Sequence, residues 1–256
     1  MAIAKADYIE GLAKGLAVLE AFDTERQRLN ATLAAQRTGI TRAAARRHLL
    51  TLADLGYLDT DGSHYWLSAR VLRLAGSYMA TSRLPRTLQP TLNRLAAQTQ
   101  AAFSAVVRDG DECVIVARSA GVAEPVRHLA YGLHLGARLP AHATSTGRVL
   151  LASLPKAEFA AWLKGRELAR ITPQTEVNVT RFKALIEQVR LADHCLARDG
   201  HELGIHALAV PLRNMQGQTL AALNVVGTAE QLSDAAVQRQ WLPLLLEAAR
   251  ELRPLL

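Results

Sequence analysis

With 256 residues, half of them hydrophobic and little low complexity, the chain has the material for one large core or two domains, and its composition excludes a disordered tail. The net charge of +7 and pI near 9.8 suit a polyanionic partner, although a basic balance alone fits a membrane surface or plain solubility equally well. Two isolated cysteines, Cys113 and Cys195, exclude a disulfide scaffold and a CxxC metal site. The N-terminus lacks the basic and apolar regions of a signal peptide, and no run of about 18 apolar residues offers a membrane span, so a cytoplasmic setting is expected.

Leu12, Leu16, Leu19 and Phe22 mark a first helix over residues 11–22. Asn30 is a good N-cap for a second, with Leu33 and Ala34 as its buried positions, and Gly39 ends it. A turn at Thr38-Gly39-Ile40 follows, where glycine reaches a positive φ and lets two helices meet steeply. Thr41 then caps a third helix from Arg42 to about Leu55, stopped by Gly56, with Ala45, Leu49, Leu52 and Ala53 as one apolar stripe. Arg42, Ala43, Arg46 and Arg47 fall off that stripe, and no acid interrupts residues 36–52. Small residues and arginines at the start of a helix let it enter a major groove, where arginine bonds guanine edges or phosphates.

Residues 57–59 and 64–67 flank Asp61-Gly62 as a hairpin, a wing that presents Ser63 and His64 to the DNA backbone or minor groove. The four features in this order predict a winged helix-turn-helix and double-stranded DNA as its partner; the competing reading is a helical hairpin whose arginines form an ordinary solvated face. Residues 69–82 read as an amphipathic connecting helix, either a dimer contact or a simple linker. Pro85 and Pro90 punctuate a boundary before a short helix over 90–98.

The remainder alternates strands (102–108, 112–118, 125–131, 207–213 and 219–226) with helices (144–154, 156–164, 181–196 and one from Ser233), and Asp109-Gly110-Asp111 is a hairpin turn. Strands and helices mixed in this order predict an α+β domain on a mainly antiparallel sheet. The expected division is 1–68 winged helix-turn-helix, 69–85 linker helix and 86–256 second domain. In the second domain the segment LPAHATSTGR, residues 139–148, opens a helix with hydroxylated residues, whose free N–H groups and dipole favour an anion such as a carboxylate; the alternative is that Thr144 or Ser145 only caps the helix. His142 stands near Thr144 and Ser145 without a GxSxG elbow or an acid partner, and the histidines match no compact ligand spacing. No enzyme, metal or cofactor is therefore expected, a domain with enzymatic or metal-sensing activity being the rival class.

Taken together, GLAVLEAF (15–22), TGITRAAARRHLLTLADLGYL (38–58), LPAHATSTGRVLLA (139–152), HELGIHALAVPLRN (201–214) and AALNVVG (221–227) resemble an IclR-type transcriptional regulator over nearly the whole length. ECVIVARSA (112–120) with the LPAHA segment looks most like the members governing aromatic-acid breakdown through the β-ketoadipate route. The resemblance implies a GAF-like effector domain, a dimer or dimer of dimers, and a small aromatic carboxylic acid such as 4-hydroxybenzoate or protocatechuate as effector. By position it implies Ser145 and Thr146 at the helix start, His128 and Tyr131 on the preceding strand, Ile205 and Ala207, and Asn224 with Val226 as the effector site. One departure is Arg198, where many members carry acids; it favours an anionic effector.

Overall fold

A computed structural model describes residues 4–23, 26–119 and 134–256. The chain divides into two compact units, Met1–Thr81 and Ser82–Leu256.

The first unit holds α1 (Glu10–Glu20), α2 (Ala31–Thr38) and α3 (Arg42–Asp54), followed by the two-stranded hairpin β1 (Leu58–Thr60) and β2 (Tyr65–Leu67) and by α4 (Leu72–Thr81). Caps fix the helix ends: the Asn30 carboxamide accepts from the amides of Thr32 and Leu33, and the Thr41 hydroxyl accepts from that of Ala44 at 3.2 Å. Between α2 and α3, Gly39 takes φ +70°, which a residue with a Cβ adopts only with strain. Val18, Leu29, Ala34, Ala45, Leu49, Leu52, Leu58 and Tyr65 form the core, with Ile40 half-buried against it. α1 departs from the simple stripe. Val18 on the helix and Phe22 just beyond its end face this core, whereas Leu12 and Leu16, on the opposite side of the helix, are exposed.

In the second unit β3 (Ala102–Asp109), β4 (Glu112–Arg118), β5 (Arg138–Pro140), β6 (Cys195–Arg198), β7 (Ile205–Arg213) and β8 (Thr219–Thr228) form one sheet in the order β5-β4-β3-β8-β7-β6. Every pairing is antiparallel, so the expected α+β class stands. One face packs Phe103, Leu208, Val210, Leu223 and Val225 against α5 (Arg83–Thr99) and α9 (Leu242–Leu252), the latter entered through a π-helical stretch at Val237–Trp241. The other packs Val106, Cys113, Ile115, Ala209 and Ala222 against α6 (Ser145–Ala152), α7 (Lys156–Leu163) and α8 (Val179–Ala192).

Two expectations need correction. Pro85 and Pro90 do not break the chain, because α5 runs through both. Pro85 lies in the first turn, where no N–H is needed, and buried Leu88, Leu92 and Leu95 hold the helix together across Pro90. The helix expected to end near Leu196 stops at Ala192, since Asp193 takes φ +58° and sends Cys195–Arg198 into the sheet as β6. His194 and Cys195 are therefore not on a helix. The sequence assigns no strand to the residues of β5, and the expected strand over 125–131 lies outside the described residues.

Candidate nucleic-acid interface and ligand cavity

On α3 the buried stripe of Ala45, Leu49 and Leu52 turns Arg42, Ala43, Arg46 and Arg47 to solvent. The guanidinium groups of these three arginines carry no ion pair among the described residues, unlike Arg37, bonded to Asp23, and Arg28, 3.4 Å from Asp61 and stacked 4.2 Å from the Trp66 ring centre. Three uncommitted cations on the first two turns of an exposed helix are suited to phosphates and base edges. The wing is shaped by Asp61, whose carboxylate accepts from the Ser63 and His64 amides and from the Ser63 hydroxyl. Those bonds pull its pKa down to about 2. Ser63 is exposed and its hydroxyl lies 3.0 Å from His64 Nδ1.

In the second unit a cavity of about 650 Å³, open mouth included, lies between the sheet and the start of α6. Of the eight positions expected there, Ser145, Thr146, Ile205, Ala207, Asn224 and Val226 line it together. His128 and Tyr131 lie outside the described residues. Register explains the grouping: Ala207 stands opposite Val226, and Asn224 opposite Ser104. Ser104, which sequence reasoning missed, shares the cavity wall with Val106, Ile115 and Ala197. Its polar side chain within a buried strand was the available signal. Small residues at 104, 143, 197 and 207 leave the space open where larger ones would fill it.

The α6 end of the cavity is built by the LPAHA turn. Gly147 sits so close to that turn that a Cβ would stand 2.1 Å from the Ala141 carbonyl oxygen, a contact no side chain tolerates. Thr144 caps the helix by accepting from the Gly147 amide. The Ser145 hydroxyl, 1% exposed as a residue, has no hydrogen-bond partner among the described residues, and the first helical amides have none within the helix. Asn224, 7% exposed, likewise leaves Oδ1 without a partner among the described residues. Buried polar groups are ordinarily satisfied, and these two present unused hydrogen-bonding capacity to one cavity.

Arg148, also buried, bonds the His142 carbonyl oxygen through Nε and brings Nη2 within 3.4 Å of where a Gly200 Cβ would stand; Gly200 is in the cavity wall. A desolvated cation behind this wall and the helix N-terminus both raise the local potential. His201, half-buried, and Glu202, exposed, also line the cavity. Arg198 does not contribute. The alternation along β6 turns Ala197 to the cavity and Arg198 away, paired with Asp234.

His142 donates from Nε2 to the Ala169 carbonyl oxygen at 2.8 Å, and burial holds its pKa below the ordinary value. Burial raises the Cys113 thiol to about 12. Among the described residues no three His, Cys, Asp or Glu side chains gather as a metal site, and no helix is long and apolar enough to cross a membrane.

Residues 11–62 match the IclR helix-turn-helix domain and residues 76–253 match the bacterial transcriptional regulator IclR C-terminal domain. The chain belongs to the IclR family. As a member of this family it is a transcriptional regulator with an N-terminal helix-turn-helix and a C-terminal effector domain. It is 50% identical over 250 residues to the p-hydroxybenzoate hydroxylase transcriptional activator of Acinetobacter baylyi, covering 97% of this chain and 92% of that one. To the Pca operon regulatory protein of the same organism it is 46% identical over 250 residues, covering 98% and 90%. Among solved structures, the inducer-binding domain of a PobR double mutant from Acinetobacter, in complex with 3-hydroxybenzoic acid, is 44% identical with a TM-score of 0.61, covering 67% of this chain and 98% of that one.

Proposed function

We propose that this IclR-family protein controls an operon for aromatic-acid catabolism and that its effector is a small aromatic carboxylic acid of the hydroxybenzoate type. The observation that carries the reading is the Ser145 hydroxyl, buried without a partner among the described residues at the start of α6 and lining a cavity whose apolar wall includes Val106, Ile115, Ile205 and Val226. A carboxylate fits the helix end, and the apolar wall holds a ring. The pathways named for its relatives support the same class.

On the DNA side, Arg42, Ala43 and Arg46 read base edges, while Arg47, the Thr41 end of α3 and the wing with Ser63 and His64 hold phosphates. The protein acts as a homodimer or dimer of dimers that sets two α3 helices in successive major grooves of a palindromic operator in the cytoplasm. Self-association is supported by α4, which carries Leu72, Leu74 and Tyr78 without burying any residue, and by exposed Leu12 and Leu16 on α1. Bound acid favours one arrangement of the protein and shifts the population that fits the operator, and it leaves unchanged, without turnover.

Thermal unfolding against a panel of aromatic and aliphatic acids tests the reading, because a ligand of the folded state raises the melting temperature. A shift with hydroxybenzoates is expected. No shift with any aromatic acid would overturn it.

A further inference from the structure

The second orphan in the cavity lies on the sheet. Along β8 the side chains facing α6 are Ala222, Asn224 and Val226; Ala222 belongs to the core and the next two line the cavity. Asn224 is the polar member of this series, placed between Ala209 on β7 and Ser104 on β3. Its Oδ1 is buried and has no partner among the described residues, and Ser104 directly opposite is 5% exposed. Directly opposed residues of antiparallel strands bring their Cβ atoms to about 5 Å, so the carboxamide and the hydroxyl form one polar patch in a wall of Val106, Ile115, Ala207 and Val226. An asparagine serving only to pack would leave its acceptor desolvated for nothing.

We infer that Asn224, with Ser104 opposite, reads a ring hydroxyl of the bound acid and sets the preference for hydroxylated over unsubstituted aromatic carboxylates. The inference rests on the ligand reading above and adds a second recognition point to it, with the carboxylate on α6 and the hydroxyl on β8 and β3. A phenolic hydroxyl both donates and accepts, so it satisfies the carboxamide in either orientation of its O and N atoms. Benzoate supplies no partner and leaves Oδ1 buried and bare. An unsatisfied buried acceptor of this kind weakens binding by about 10- to 100-fold.

Calorimetric titration of the full chain with benzoate, 3-hydroxybenzoate and 4-hydroxybenzoate tests this. The wild type is expected to prefer at least one hydroxybenzoate over benzoate by about 10- to 100-fold. Asn224→Leu, close in size, is expected to lose most of that preference, with hydroxybenzoate affinity falling far more than benzoate affinity. Ser104→Ala should narrow the preference by several-fold and serves as the test if Asn224→Leu does not fold. An undiminished preference in the folded variants, or equal losses for both ligands, overturns the assignment while leaving the cavity as the acid site. Failure of the wild type to bind any of the three acids overturns the ligand reading and the inference with it.

Discussion

The Thr144 hydroxyl accepts a 3.1 Å hydrogen bond from the Gly147 amide, while the buried hydroxyl of its neighbour Ser145 has no partner among the described residues. Capping and ligand recognition, which compete for the same residues when the segment is read alone, are thereby divided between adjacent side chains.

That division predicts two separable losses. Ser145→Ala removes a donor to the carboxylate without touching the cap, and should weaken every acid in the panel by about 10-fold or more while shifting the melting temperature of the free protein little. Thr144→Ala should instead cost about 1 kcal/mol of stability through the lost cap. Titration and unfolding measured on both variants check the assignment; an unchanged affinity in Ser145→Ala removes that hydroxyl from the site.

Gly147 has no freedom at all. Gly147→Ala drives a methyl into the Ala141 backbone, and backbone cannot swing aside as a side chain would. A loss of at least about 3 kcal/mol is expected, read as a large fall in denaturant midpoint or absence of soluble protein. A stable alanine variant would show that the LPAHA turn and α6 are not packed as described.

For the DNA interface, Arg47→Ala should weaken binding to operator and unrelated duplex alike and lower the slope of log K against log salt by about one. Arg46→Ala should instead reduce discrimination between them. Binding curves at several salt concentrations separate the two, and identical behaviour of the variants would contradict the division of roles.

Burial lowers the pKa of His142 below its ordinary 6.5, and His201 shifts the same way for the same reason. The unfolded chain then binds more protons than the folded one as pH falls through that ordinary value, so stability is full above it and declines below. Unfolding midpoints from pH 7.5 to 5.5 should fall, and less steeply in His142→Gln. A midpoint that rises on acidification would reverse the sign and exclude the buried neutral ring.

The first unit was legible because its signals are local: Asn30, Gly39, Thr41 and Asp61-Gly62 each act within four residues, and the structure keeps every one of those turns and caps. Prolines misled the reading of α5, since their local cost is outweighed by burial of Leu88, Leu92 and Leu95, a stripe visible in the sequence once a helix is allowed there. The end of α8 depended on Asp193 entering the left-handed region, which asparagine and glycine advertise better than aspartate. Most of the cavity positions came through the resemblance and its motifs. Ser104 did not, because only the pairing of β3 with β8 places it opposite Asn224.

The bare arginines of α3 act on the protein even when no DNA is present. Arg42 and Arg46 are one turn apart, and like charges at that spacing oppose helix formation by a few tenths of a kcal/mol. Added salt screens this repulsion, so it should firm the free helix under the same conditions that loosen its grip on phosphate. The recognition helix is therefore tuned to the charge of its partner, and is under least electrostatic stress when a polyanion lies against it.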